Sequence, residues 1–266
     1  YIGIIINTKI KTDKSLMDKA TKLEFVGRLG SGLDIIDLPY AKEKGIQIVN
    51  SPEGNCNAVA EHAIGMLLAL QNNMTHGDRE VRAFNWNREK NRGNEITGKT
   101  IGIIGFGHTG SALAKRLRGF DMRILAYDKY KVDYASPLDY AMESNLKQIQ
   151  AESDYISFHL PLTEETHHMA NASFFEDCQN CPVIINTSRG KVVDTRALLS
   201  AIKENKIAGA CLDVFENEKV STFTPEEKEL YNSLYQLENV ILTPHVAGWT
   251  HESKRKIAET LLEKLL

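Results

Sequence analysis

With 266 residues the chain is long enough for one large or two modest domains, and 42% apolar with 25% charged residues is ordinary globular make-up. A net charge of −3 without a basic block offers no surface for nucleic acid or an anionic membrane, and apolar runs such as 63–70 are far too short to span a bilayer. Cysteine is sparse: Cys178-Gln-Asn-Cys181 has C-x-x-C form but no second pair at zinc spacing, so no metal is expected and a reducing, cytoplasmic compartment fits best.

The chain opens at Tyr1 on an apolar run, 2–6, that reads as a buried strand. A helix over 15–22 follows, then a strand over 25–29 that ends in the loop Gly30-Ser31-Gly32. A short helix over 37–44 closes at Gly45, and 46–49 is another strand, so this section reads β-α-β-α-β with parallel pairing. Beyond Ser51-Pro52 the pattern changes. Asn57 has the character of a helix N-cap, and Val59, Ala63, Met66, Leu67 and Leu70 recur at helical spacing, with the helix continuing toward Val81. The polar stretch 84–98, with Trp86 and two glycines, reads as a connecting arm and a domain boundary.

From residue 100 strands and helices alternate. Strands are expected at 100–104, 123–127, 154–159, 183–186, 208–213 and 239–243, with helices between them that include 194–204. Six parallel strands of this kind make a doubly wound, dinucleotide-binding sheet. The last stretch, 251–266, is a helix with Ile257, Leu261, Leu262 and Leu265 on one face. The domains are therefore expected at 98–248, binding a dinucleotide, and at 1–97 with 249–266, binding substrate.

The first strand of that second section runs into Gly105, Gly107 and Gly110 at G-x-G-x-x-G spacing, and an amphipathic helix starts at Ser111. Gly105 permits a tight turn, Gly107 lets backbone approach a pyrophosphate, and Gly110 lets helix and strand pack closely. Such a triplet alone is weak. The next strand strengthens it by ending at Asp128, where a carboxylate accepts hydrogen bonds from the adenosine ribose. An acid there repels a 2′-phosphate, which points to NAD rather than NADP.

Ligands of open α/β sheets bind beyond the carboxyl ends of the strands. Three successive predicted strands end at Thr187-Ser188-Arg189, at Asp213 followed by Val-Phe-Glu-Asn-Glu218, and at Pro244-His245-Val-Ala-Gly248. Each residue taken singly has a bland reading: Arg189 as a partner of Asp194, Glu218 as a solvated loop acid, His245 as a structural histidine. Arriving together they describe a site. The other histidines carry less: His62 follows Glu61 without metal-ligand spacing, His167-His168 sits in a polar turn, and His108 lies in the glycine turn.

These residues resemble the NAD-dependent D-2-hydroxyacid dehydrogenases, with the phosphoglycerate dehydrogenases the nearest branch. The resemblance runs through 27–34, Asn50-Ser-Pro52, Val59-Ala-Glu61, the glycine turn, 159–163, 186–194, Leu212-Asp-Val-Phe215 and Thr243-Pro-His245. It implies a Rossmann-type NAD-binding domain beside a flavodoxin-like, N-terminally incomplete substrate domain, both doubly wound α/β. It implies that Arg189 binds the substrate carboxylate and carbonyl, that His245 is the acid/base, and that Glu218 is its partner. Asp213 is implied beside the nicotinamide carboxamide. Cofactor contacts are implied for Ser31, His108, Thr109, Leu160, Thr187, Ser188 and Gly248, and the Gly30-Ser31-Gly32 backbone is implied to meet substrate and cofactor.

The chain also departs from the family pattern. Asn7-Thr8 stands where phosphoglycerate dehydrogenases carry Arg-Ser, leaving Lys9 or Lys11 to meet a phosphate, and Trp249 favours a less polar substrate. The expected reaction is reversible NAD-linked oxidation of a D-2-hydroxy acid, with 3-phosphoglycerate first (serine biosynthesis) and glycerate or lactate next. The small acid is the expected partner, and the helix from 57 with its arm offers a homodimer surface. A transcriptional corepressor on the same fold, with NAD controlling assembly, is the rival reading.

Overall fold

The computed structural model describes residues 1–135 and 140–266, and the chain forms two compact units, Tyr1–Val59 with Gly248–Leu266 and Ala60–Ala247. In the first unit, β1 (Gly3–Ile6), β2 (Phe25–Arg28) and β3 (Gln47–Asn50) form a parallel sheet in the order β1-β2-β3. Helix α1 (Lys14–Lys19) starts where the Asp13 carboxylate accepts from Leu16 N, and α2 (Leu38–Glu43) where Asp37 accepts from Tyr40 N. Ile6, Met17, Leu23, Val26, Ile36, Ala41 and Ile46 make the core between them.

The C-terminal helix His251–Leu265 packs on the same sheet. A Cβ on Gly27 of β2 would lie 3.2 and 3.3 Å from Leu265 and Leu261, and one on Gly54 would lie 2.6 Å from the Ile257 backbone. Ile257, Leu261 and Leu265 therefore face inward as their spacing predicts. Leu262, expected beside them, is 54% exposed, because one residue past Leu261 is a turn of about 100° around the helix.

Helix α3 (Cys56–Gln71), which enters the second unit at Ala60, and α4 (Met74–Arg82) precede the main sheet. The single helix expected from an N-cap at Asn57 is thus two, and it starts one residue earlier. The break falls at Asn73, which sits at φ 50°, a left-handed conformation that asparagine tolerates better than most residues. The arm covers this break: Asn94 N donates to Gln71 O at 2.8 Å, and Gly93 lies so close that a Cβ would come within 2.7 Å of the same oxygen.

The main sheet joins β4 (Thr100–Ile104), β5 (Arg123–Tyr127), β6 (Met142–Glu143), β7 (Tyr155–Phe158), β8 (Val183–Asn186), β9 (Gly209–Leu212) and β10 (Val240–Leu242). All pairs are parallel, in the order β10-β9-β8-β7-β4-β5-β6. Among the described residues seven strands replace the six expected; β6 has two residues, too few for any periodicity to show. Every residue of β4, β7, β8 and β9 is buried, as befits strands covered by helices on both faces. The order reverses between β4 and β7, so the crevice for a ligand opens beyond their carboxyl ends.

The first unit boundary falls inside α3 rather than at residue 97. Residues 60–97 pack with the nucleotide-binding sheet: Arg116 of α5 (His108–Leu117) donates to Glu61 at 3.0 and 3.1 Å, and His62 lies 2.9 Å from the Thr243 hydroxyl. The second unit boundary lies at Ala247/Gly248.

Candidate active site

At the end of β4, Gly105 adopts φ +93° while its N–H donates to Tyr127 O at 2.8 Å. A side chain there would be strained and would strike His159 O at 2.4 Å. Gly110 lies against the same turn, with its would-be Cβ 2.2 Å from Gly105 O. Gly107 faces open space and is the N-cap of α5, with no side chain capping it. The helix starts at His108, three residues before the expected Ser111, so His108, Thr109 and Gly110 form its first turn, at the end of the helix that favours negative charge.

Asp128 follows β5. Its Oδ2 accepts from Phe106 N at 3.0 Å and its Oδ1 from Tyr130 N at 3.1 Å. The carboxylate is thereby fixed beside the glycine turn, and each oxygen keeps acceptor capacity for a ribose hydroxyl. Leu160, beyond β7, touches this turn as well, with its Cδ2 3.0 Å from a Cβ built on Gly105. These features fit a dinucleotide: an uncapped helix N-terminus, open space at the middle glycine, and an anchored acid.

Beyond β8, Asn186 shapes the next loop. Its Oδ1 accepts from Ser188 N and Oγ at 3.1 and 2.9 Å, and its Nδ2 donates to Arg189 O at 2.9 Å. Thr187 Oγ1 is buried with no hydrogen-bond partner, an orphan that a bound cofactor would satisfy. Gly190, next to Arg189, has no room for a side chain, because a Cβ would stand 1.9 Å from the Phe215 carbonyl oxygen. That neighbour is backbone and cannot rotate away. Gly190→Ala is accordingly expected to destabilise the fold by about 1–3 kcal/mol, read as a lower urea midpoint.

Asp213, directly after β9, is wholly buried and organises the loop after β10. Its Oδ1 accepts from Thr243 Oγ1 at 2.5 Å and Val246 N at 2.9 Å, its Oδ2 from Ala247 N at 2.8 Å, and its main-chain carbonyl from His245 N at 2.7 Å. His245 is held at φ 55°, sparsely populated for a non-glycine residue, by this cluster of bonds. Its Nδ1 lies 2.9 Å from Glu218 Oε2, both side chains being about half exposed. The hydrogen bond to Glu218 raises the His245 pKa above the ordinary histidine value, with burial and the Arg189 charge opposing it. For Glu218, burial acts to raise the pKa, but the hydrogen bond and charge of His245, with Arg189 in support, bring it below the usual carboxylate range.

The structure separates the two nearby acids. Glu216 accepts from Thr195 N at 2.9 Å and lies 2.6 Å from His168 Nε2, a local tie, whereas Glu218 turns to His245. Asp194 caps α8 (Thr195–Lys203), accepting from Arg196 N and Ala197 N. Cys178 and Cys181 are free thiols bonded to carbonyl oxygens, with pKa pushed up by burial, to about 12 for Cys178. Among the described residues no group of His, Cys, Asp and Glu is placed to hold a metal.

Gly30, Ser31, Gly32 and Gly248 belong to the first unit. There Ser31 Oγ donates to Asn55 Oδ1 at 2.7 Å, Asn50 Nδ2 donates to Ser31 O at 2.7 Å, and Gly30 sits at φ +131°. Two features escaped the sequence reading. His159, set between β7 and Leu160, keeps a neutral ring, its pKa pushed down to about 4 by burial, with Nε2 2.9 Å from Ser157 Oγ and Nδ1 buried without a partner. His62, without metal-ligand spacing, reaches the loop after β10 through Thr243. The His62 contact has no local sequence signal, since the fold alone brings it to Thr243, whereas His159 lies two residues from Ser157 and is set apart only by its burial.

Residues 64–247 match the family model described as D-isomer specific 2-hydroxyacid dehydrogenase, NAD binding domain. A hydroxypyruvate reductase of Thermotoga maritima is 36% identical over 98% of this chain and 83% of its own length. A D-3-phosphoglycerate dehydrogenase of Archaeoglobus fulgidus is 35% identical over the whole chain, which spans 49% of that relative. Among solved structures, a D-lactate dehydrogenase from Aquifex aeolicus, complexed with NAD and lactic acid, superposes with a TM-score of 0.88 at 32% identity, over 99% of this chain and 81% of that one. The chain belongs to the NAD-dependent D-isomer-specific 2-hydroxyacid dehydrogenases, and its glycine turn and Asp128 lie on the NAD-binding domain of that family.

Proposed function

We propose that this protein reduces a small 2-keto acid, with hydroxypyruvate the leading substrate, and that Arg189, Glu218 and His245 carry the reaction. The observation that carries this reading is the 2.9 Å contact of His245 Nδ1 with Glu218, on a ring raised in pKa by that carboxylate. With Nδ1 held by Glu218, Nε2 of the imidazolium is the atom that delivers a proton to the keto oxygen. The planar Arg189 guanidinium matches the substrate carboxylate at two points and polarises the adjacent carbonyl. NADH, when bound, supplies the hydride.

Gly105, Gly107, His108, Thr109 and Gly110 would hold the pyrophosphate and Asp128 the adenosine ribose. Leu160, Thr187, Ser188 and Asp213 would line the nicotinamide end. By family resemblance, Gly30, Ser31 and Gly32 would contact substrate, and Ser31 and Gly248 the cofactor. Hydroxypyruvate is favoured over a phosphorylated acid because Asn7-Thr8 offers no fixed cation where phosphoglycerate dehydrogenases carry Arg-Ser. The second reading, 3-phosphoglycerate and serine biosynthesis, draws support from the exposed Lys9 and Lys11 beyond β1.

Exposed Met74, Val81, Phe84 and Trp86 on α4 and its arm support a homodimer built there, which sedimentation would show as twice the chain mass. Cysteines that form no disulfide among the described residues are in keeping with a cytoplasmic setting. Among the described residues no helix is long and apolar enough to cross a membrane. The test is NADH oxidation with a panel of 2-keto acids. Hydroxypyruvate is expected to give the highest kcat/KM, and a panel without NADH oxidation would overturn the reading.

A further inference from the structure

We infer that His62 is a positioning residue for the loop carrying His245, acting through the Thr243 hydroxyl and Asp213. The inference rests on the catalytic role proposed for His245.

His62 lies on α3, remote in sequence from the site, and its Nε2 is 2.9 Å from Thr243 Oγ1 and 3.6 Å from Asp213 Oδ1. A hydroxyl has one proton to give. The 2.5 Å contact of Thr243 Oγ1 with Asp213 Oδ1 directs that proton to the carboxylate, so toward His62 the same oxygen accepts. His62 Nε2 therefore carries a hydrogen and donates it. The donor polarises the hydroxyl and strengthens its bond to Asp213, as hydrogen bonds in a chain do.

Asp213 is the residue on which this matters. It is wholly buried, and it holds the N–H groups of His245, Val246 and Ala247 through its carbonyl and both carboxylate oxygens. Those bonds keep His245 in its left-handed conformation, so a turned or displaced Asp213 carboxylate moves the imidazole. Small displacements of a catalytic group reduce turnover more than binding. The preceding residue, Glu61, receives both bonds from Arg116 on α5, the helix that opens at the glycine turn. Neighbouring residues of α3 thus tie the cofactor helix on one side and the proton-transfer loop on the other.

The experiment compares His62→Leu, His62→Gln, Thr243→Val and the Leu/Val double variant in keto-acid reduction, with NADH affinity followed by fluorescence. His62→Leu is expected to lower kcat by about tenfold, the worth of one hydrogen bond, with KM and NADH affinity within about twofold of the parent. Glutamine places an amide N–H near the Nε2 position and is expected to restore kcat. The double variant should be no slower than the slower single variant, because both break one chain of bonds. An unchanged kcat in His62→Leu, additive losses, or no rescue by glutamine would each overturn the inference. If His62→Leu fails to fold, His62→Asn replaces it: too short to reach Thr243, it should lose kcat where His62→Gln retains it, and equal rates would overturn the inference. A parent protein inactive on every keto acid would fail the proposed function instead. NMR then reads the histidine: an Nε2–H on His62 that is lost or shifted in Thr243→Val supports the chain of bonds, and a bare Nε2 contradicts it.

Discussion

Replacing His245 by alanine is expected to lower kcat for keto-acid reduction by about 10²–10⁴-fold, the usual contribution of a positioned general acid. The loss should fall on kcat and kcat/KM together, because the proton moves only in the transition state. NADH binding should be retained, since the glycine turn and Asp128 lie at other strand ends. Stopped-flow and steady-state assays of the purified variant check both halves. A kcat within about threefold of the parent would remove His245 from the proton transfer.

The second large effect concerns cofactor choice. NAD is expected to be preferred over NADP by about 10²-fold or more, because a 2′-phosphate would confront the Asp128 carboxylate at a cost of a few kcal/mol. The geometry sharpens the expectation. Two backbone N–H groups, from Phe106 and Tyr130, pin that carboxylate, so it has no freedom to swing away from a phosphate. Asp128→Ala should narrow the preference mainly by weakening NAD. Equal kcat/KM with the two cofactors in the parent would contradict the assignment of Asp128 to the ribose.

Strong local patterns were legible in the sequence wherever one residue type has one physical use. β4, β5 and β8 fall where their apolar runs predict, and the glycine turn with Asp128 is formed as its spacing requires. Strand ends alone put Arg189, Asp213 and His245 on one edge, since a parallel sheet brings the carboxyl ends of its strands together. Other features depended on tertiary structure. The break at Asn73 is covered by the arm, β6 pairs over two residues only, and the unit boundary within α3 follows packing that no composition shift announces. Likewise Glu216 and Glu218 are equivalent acids by residue type and spacing, and only the family resemblance singles out Glu218. Only the folded loop gives one to Thr195 and His168 and the other to His245.

The pairing of Glu218 with His245 is the centre of this account, and the pH dependence of Glu218→Gln tests it most directly. Reduction needs the imidazolium, so activity is present below the His245 pKa and is lost as pH rises through it. The Glu218 carboxylate raises that pKa by favouring the charged ring; glutamine keeps the shape and removes the charge. The alkaline limb of kcat/KM for reduction should therefore move to lower pH in Glu218→Gln, and the limb for hydroxy-acid oxidation, which needs the neutral ring, should begin at lower pH as well. Profiles that superpose on those of the parent in both directions would show that Glu218 does not set the proton affinity of His245.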